Sequence, residues 1–284
     1  MRIPTKPALF SLIIIVLLTW AAALTLPDGR LHVVFLDVGQ GDAIFITTPN
    51  GRQILIDGGP GPGQLLAGLG RHMPFWDRSI DVLVSTHPEA DHLTGLLEIV
   101  GRYRVGTVLV SDVALETALF DAWQGRLAEA GLKPLAVGQG ARLELDREVS
   151  ALVLNPGPAS VSSPKPNDHS IVIRLEMGQI SFLLPGDIEA GVERALVGQN
   201  LPLQATILKS PHHGSNTSSS AAFLDAVNPQ LVVISAGADN RFGHPAQAVL
   251  DRYTGQRARV LRTDELGPIE FITDGRDLWL KGQR

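Results

Sequence analysis

Thr86-His87-Pro88-Glu89-Ala90-Asp91-His92 is the stretch from which the fold of this chain is read. It follows an apolar run over residues 80–84 and precedes an amphipathic segment over 93–103, so it occupies the turn between a strand and a helix. Pro88 cannot continue a ladder and biases His87 toward extended backbone, which makes that turn sharp. Two imidazoles and two carboxylates just past a strand end are metal-ligand chemistry. On this stretch alone a solvated loop, with Asp91 as a helix cap, stays open.

Working outward, polar stations recur where other strands should stop. Asp37 and Asp42 flank Gly39-Gln40-Gly41 between expected strands at 31–36 and 43–48, and Asp57 ends a third at 53–56. Asp187 follows Leu183-Leu184-Pro185-Gly186, and His212-His213-Gly214-Ser215 follow Ile207-Leu208-Lys209. Gly243-His244-Pro245 comes shortly after Val232-Val233-Ile234, and Asn167-Asp168-His169 just before a strand at 170–175. Further strands are expected at 107–110, 133–137, 149–154, 180–184, 205–208, 231–235 and within 259–280. Helices are expected at 64–71, 115–130, 189–197, 219–227 and 245–253, with a loop over 155–167. A strand-rich opening followed by alternation predicts two sheets flanked by helices, with sites at strand ends.

Composition narrows the chemistry. The chain has 284 residues, 44% hydrophobic and 19% charged, enough for one large domain with a sizeable core. With Cys 0, any metal must be held by His, Asp, Glu or Asn. A net charge of -5 argues against broad electrostatic capture of nucleic acid and leaves room only for a local groove. Residues 8–26 carry no charge, with Arg2 and Lys6 before them and Asp28 after. Residues 1–30 therefore read as a membrane anchor, with a signal peptide cleaved at Ala21-Ala22-Ala23 as the alternative. Either reading places a single domain, residues 31–284, outside the cytoplasm.

Taken together, these motifs resemble the metallo-β-lactamase superfamily, and more specifically the extracellular domain of ComEC-type competence DNA-uptake proteins. The resemblance is carried by 36–43, Leu55-Ile56-Asp57-Gly58-Gly59, 85–92, 184–189, Pro211-His212-His213-Gly214-Ser215, Gly243-His244-Pro245 and 262–267, in the family's order. It implies an α/β fold, an αββα sandwich of two mixed sheets flanked by helices, preceded here by one apolar helix. It also implies two divalent metal ions, manganese or zinc, at the sheet edge. His87 and Glu89 would face one ion, Asp91 and His92 the other, and Asp187 would bridge them. Glu89 stands where the superfamily usually has a second histidine. The third-motif ligand should fall among Asn167, Asp168 and His169.

On the pattern of phosphodiesterase members, His244 would complete the second ion's ligands, and His212 would protonate the leaving oxygen or grip phosphate. The exchanged roles stay open. In extended chain His213 faces away from His212, so only one of them should reach the metals. Asp57 would orient a ligand imidazole or simply form a turn. Asp37 and Asp42 flank the first turn without an assigned role. Lys209 and Ser215 bracket the histidine pair within reach of a phosphate, and Lys209 and Asp91 join His212 in the expected catalytic set. The implied activity is extracytoplasmic hydrolysis of phosphodiester bonds, most plausibly in DNA, with a separate protein supplying any channel. The rival readings are a hydrolase of another ester, a lactone or a β-lactam, and a ligand-binding module that has lost one metal.

Overall fold

The computed structural model describes residues 6–23, 26–158, 160 and 163–281. The chain runs α1 (Lys6–Ala23), β1 (Leu31–Phe35), β2 (Ile44–Thr47), β3 (Gln53–Ile56), α2 (Pro62–His72), β4 (Ser79–Ser85), α3 (Ala90–Arg102) and β5 (Arg104–Val110). It continues through α4 (Ala118–Glu129), β6 (Leu135–Ala136), β7 (Arg142–Glu144), β8 (Val149–Asn155), β9 (Val172–Met177), β10 (Ile180–Leu184) and α5 (Ala190–Gly198). It closes with β11 (Ile207–Lys209), α6 (Ala221–Val227), β12 (Leu231–Ile234), α7 (Gln247–Gly255), β13 (Arg259–Arg262), α8 (Thr263–Leu266), β14 (Ile269–Thr273) and β15 (Leu278–Leu280).

The strands form two mixed sheets, ordered β15-β14-β1-β2-β3-β4-β5-β6 and β13-β12-β11-β10-β9-β8-β7. Period-two alternation explains the layering. Leu31, Val33 and Phe35 of β1 enter the core between the sheets, where Ile173, Phe182 and Phe271 meet them. Val34 and Leu36 point the other way, onto α2 and α3. In α3, Leu93, Leu96, Ile99 and Val100 recur at helical spacing and bury that face against the first sheet. On the outer face of the second sheet, Leu183, Leu208 and Val232 pack under Val192, Phe223, Leu224 and Tyr253. Three apolar layers between four layers of structure give the expected αββα sandwich.

Most expected elements fall within a few residues of their observed bounds. The run at 133–137 shrinks to the two residues of β6, an exposed edge strand, and β7 was not foreseen. Helix α4 starts at Ala118 because the Thr117 side chain accepts from Phe120 N and caps it. The expected loop over 155–167 ends in a 3-10 turn, Pro166–His169. Helix α1 leaves Leu9, Phe10, Ile13 and Leu18 exposed. Among the described residues, no helix is long and apolar enough to cross a membrane.

The two sheets are joined where their strands end. Ile171 N, leading into β9, donates to Thr86 O, just past β4, at 3.0 Å, and at the end of the first sheet Asp42 N donates to Asp91 O at 3.2 Å. Glycine is required at two close approaches near these strand ends. Gly41 sits at φ 138 with the Asp91 carbonyl where a Cβ would be. Gly186, at φ 58, would place a Cβ 2.8 Å from Ser170 Cβ. Both lie one residue before a carboxylate of the candidate site, Asp42 and Asp187.

Candidate metal centre

His87 and His92 leave the end of β4 and enter α3, Asp187 follows β10, and His213 follows β11. All four are buried. Each imidazole is anchored through Nδ1. His92 Nδ1 donates to Asp57 Oδ2 at 2.8 Å, and His213 Nδ1 donates to the Ser235 carbonyl at 3.0 Å. His87 Nδ1 lies 3.1 Å from Thr86 Oγ1, whose own proton goes to Asp57 Oδ2, so the hydroxyl accepts from the ring. In the neutral form of each ring, this anchoring of Nδ1 leaves the lone pair on Nε2.

Those three Nε2 atoms are buried and have no hydrogen-bond partner. Yet His92 Nε2 and His213 Nε2 each lie 3.2 Å from Asp187 Oδ2, and His213 Nε2 is 3.4 Å from Asp91 Oδ2. They are close without being aligned for hydrogen bonds, as donors aimed at a shared point are. One donor atom each from Asp91, His92, Asp187 and His213 lies within 4.8 Å of all the others. Orphaned buried nitrogens facing carboxylates fit a divalent cation. Beside them, the His87 and His92 rings are 4.2 Å apart, and His87 Nε2 is 3.9 Å from Glu89 Oε2. A second ion would find His87 and Glu89 there.

Electrostatics agree. Burial and the neighbouring Asp91 and Asp187 push the Glu89 carboxyl up, the mark of like charges short of a cation. Burial alone would raise Asp187, but His213, His92 and Lys209 hold it well below the usual carboxylate range. Burial drives His87 well down, helped by His92. For His213 burial is outweighed by Asp187 and Asp42, which lift it to about 9.

The remaining expected residues are placed as follows. Asp57 accepts from Thr86 N at 2.8 Å and Thr86 Oγ1 at 2.6 Å as well as from His92, so it holds β3, β4 and α3 together behind the ligands. Lys209, expected to reach a phosphate, is instead fully enclosed. Its ammonium pairs with Asp42, donates to Gly186 O at 3.0 Å and lies 3.3 Å from Asp187 Oδ1. Among Asn167, Asp168 and His169, the histidine has both nitrogens engaged, with Asp112 and the Ser163 carbonyl. Asp168 accepts from Ser163 Oγ, while Asn167 keeps a buried, unpartnered Oδ1. Asp37 accepts from Gly39 N and shapes its turn. Ser215 N donates to His212 O, and its hydroxyl meets Thr217.

His212 and His213 do not alternate. Both adopt left-handed backbone, φ 48 and 55, so the extended-chain expectation fails and both rings turn toward Asp187. His212 Nε2 lies 3.9 Å from Asp187 Oδ2 on the solvent side, and His213 Nε2 is nearer. His244 sits farther out, its ring 5.7 Å from that of His212. Sequence reasoning left His213 without a role because alternation applies only to extended chain. The successive positive φ values carry no signal in residue type.

Residues 36–237 match the metallo-beta-lactamase superfamily. The chain belongs to that superfamily. It is 29% identical over 256 residues to ComE operon protein 3 of Bacillus subtilis (strain 168), covering 84% of this chain and 33% of that protein. It is 29% identical over 252 residues to Competence protein ComA of Neisseria gonorrhoeae, covering 86% of this chain and 33% of that one. The superfamily member thus spans about a third of the length of these competence proteins. Among solved structures, CmlA, a diiron beta-hydroxylase from Streptomyces venezuelae, aligns with a TM-score of 0.55 at 17% identity, over 83% of this chain and 53% of that one. The shared fold is that of metal-dependent enzymes, and the candidate centre supplies the ligands for a divalent ion.

Proposed function

We propose that this chain is a two-metal phosphodiesterase acting on nucleic acid, retained at the membrane by its N-terminal segment with the sandwich outside the cytoplasm. The observation that carries the reading is the set of three buried, unpartnered Nε2 atoms, those of His92 and His213 each 3.2 Å from Asp187 Oδ2 and that of His87 beside Glu89. Asp91, His92, Asp187 and His213 would hold one ion, and His87, Glu89 and Asp187 the other. When bound, such a pair activates water and neutralises charge on the attacking and leaving oxygens. The donor set mixes nitrogen and oxygen evenly at the better-formed site, which suits zinc as well as manganese.

The chain's own residues do the rest. Asp57, Thr86 and Ser235 fix the tautomers, so no ring has to reorient during turnover. Lys209, itself paired with Asp42, lies against Asp187 Oδ1, leaving Asp187 Oδ2 toward His92 and His213. Burial, with His213 and Lys209, lowers His212 despite Asp187, so Nε2 is ready to accept a proton and pass it to a leaving oxygen. The resemblance to competence proteins supports DNA as the substrate, with uptake through a separate channel protein.

The test uses the full chain with manganese or zinc, a DNA oligonucleotide and a nitrophenyl phosphodiester. Cleavage of both, abolished by EDTA and lowered by at least about 10³-fold in Asp187→Ala, is the expected result. Turnover of a lactone or β-lactam with both phosphodiesters untouched would favour the rival hydrolase reading. Undiminished cleavage by Asp187→Ala would remove the proposed centre.

A further inference from the structure

Beyond the metal centre, the loop between β12 and α7 carries an unexplained group. Phe242 is 55% exposed. Most large apolar side chains of the sandwich are buried, yet more than half of this one is open to solvent. It stacks on His244, with centroids 5.8 Å apart and planes 24° from parallel. The Arg241 guanidinium lies 5.2 Å from its centroid on the same loop. His244 in turn meets His212, and His212 lies 6.2 Å from His213, so a file of rings leads from the open surface to the metal ligands.

The loop is built to hold that ring still. Asn240 is a clasp: its Nδ2 donates to Gly237 O at 2.7 Å and to His244 O at 2.6 Å. Its Oδ1 accepts from Phe242 N at 3.2 Å and from His244 N at 3.0 Å. Gly237 is fixed on the other sheet's first turn through Gln40 Oε1. Of the exposed aromatic side chains among the described residues, Phe10, Phe75, Trp76, Phe242 and Trp279, only Phe242 is in ring contact with a histidine of this site.

We infer that Phe242, flanked by Arg241 and His244, is the platform on which a base of single-stranded nucleic acid stacks as its phosphate enters the metal centre. The inference rests on the phosphodiesterase reading and adds to it the form of the substrate. A chain of net charge -5 cannot depend on a broad cationic surface to capture a polyanion. An exposed aromatic face binds any base without reading its sequence, and a guanidinium beside it serves both the base and the adjoining phosphate. In a duplex both faces of each base are covered by neighbours, so the platform selects unpaired strands.

The experiment uses the full chain with manganese and two labelled single strands about 12 nucleotides long. One is oligothymidine; the other is an oligomer of abasic deoxyribose phosphate. Phe242→Ala should raise KM for oligothymidine about tenfold, with kcat nearly unchanged, and leave the abasic oligomer unaffected. Phe242→Trp should restore the wild-type KM. Equal KM in wild type and Phe242→Ala overturns the platform, as does an equal loss on both oligomers, which would give the ring a merely structural role. If wild type cleaves neither strand, the phosphodiesterase reading falls, and the platform with it.

Discussion

His213 shows how one residue's backbone decides a site. Were residues 212 and 213 extended, one ring would face the metals and the other solvent. Left-handed geometry at both swings both rings inward, and the Ser235 carbonyl then fixes His213 with Nε2 toward Asp187. The composition of the cluster was legible in the sequence, since His87, Glu89, Asp91, His92 and Asp187 all come from strand ends. Which downstream histidine joins them was not, because the answer lies in torsion angles.

Lys209 is the other case. A lysine beside a histidine pair is ordinarily solvated, and only tertiary packing shows it enclosed between Asp42 and Asp187. Burial would lower its affinity for a proton, but those two carboxylates raise it, so the ammonium stays charged. Lys209→Met therefore removes the ammonium that sits between two buried carboxylates, a change that costs about 3–5 kcal/mol when one member of a buried pair is removed. Thermal unfolding should show a lowered Tm, partly recovered by manganese. A Tm equal to wild type in the absence of metal would show that the ammonium is not needed there.

At the scale of elements, the long periodic segments were legible: α3 from its apolar spacing, β1 from its alternation, and the strand ends from their polar stations. The edge strand β7 was not, because three residues with only Leu143 half-buried carry no hydrophobic pattern, and β6 is shorter than expected for a similar reason. Helix α8 interrupts a stretch read as closing strands, since Thr263 turns inward to bond Ala236 N. Helix α1 is the element whose role the sandwich does not explain. Its described apolar side chains, such as Leu9, Phe10, Ile13 and Leu18, lie exposed rather than in any of the three cores, although no helix among the described residues is long and apolar enough to span. The uncharged run extends through residue 26, past the end of α1. On the anchor reading, the full chain expressed in bacteria should stay with membranes after alkaline carbonate washing. Complete release into the supernatant would contradict the anchor.

For the molecule as a whole, the account turns on an ion at the seam between two sheets. Each sheet is assembled without it, but Asp91 and His92 come from one and Asp187 and His213 from the other. In the metal-free chain His213 is held up to about 9, so near neutral pH its ring carries a proton where an ion's charge would lie. Binding must displace that proton, and the one that Asp187 and Asp57 hold on His92, so metal affinity should rise with pH above neutrality. Calorimetric titration of manganese or zinc into the metal-free chain, in buffers of differing ionisation enthalpy, reads affinity and proton release together. The account predicts specific binding with proton release at pH 7.5, strongly weakened in His213→Ala and retained in His244→Ala. A wild-type chain that binds neither metal, or a His213→Ala variant that binds as tightly as wild type, would contradict it.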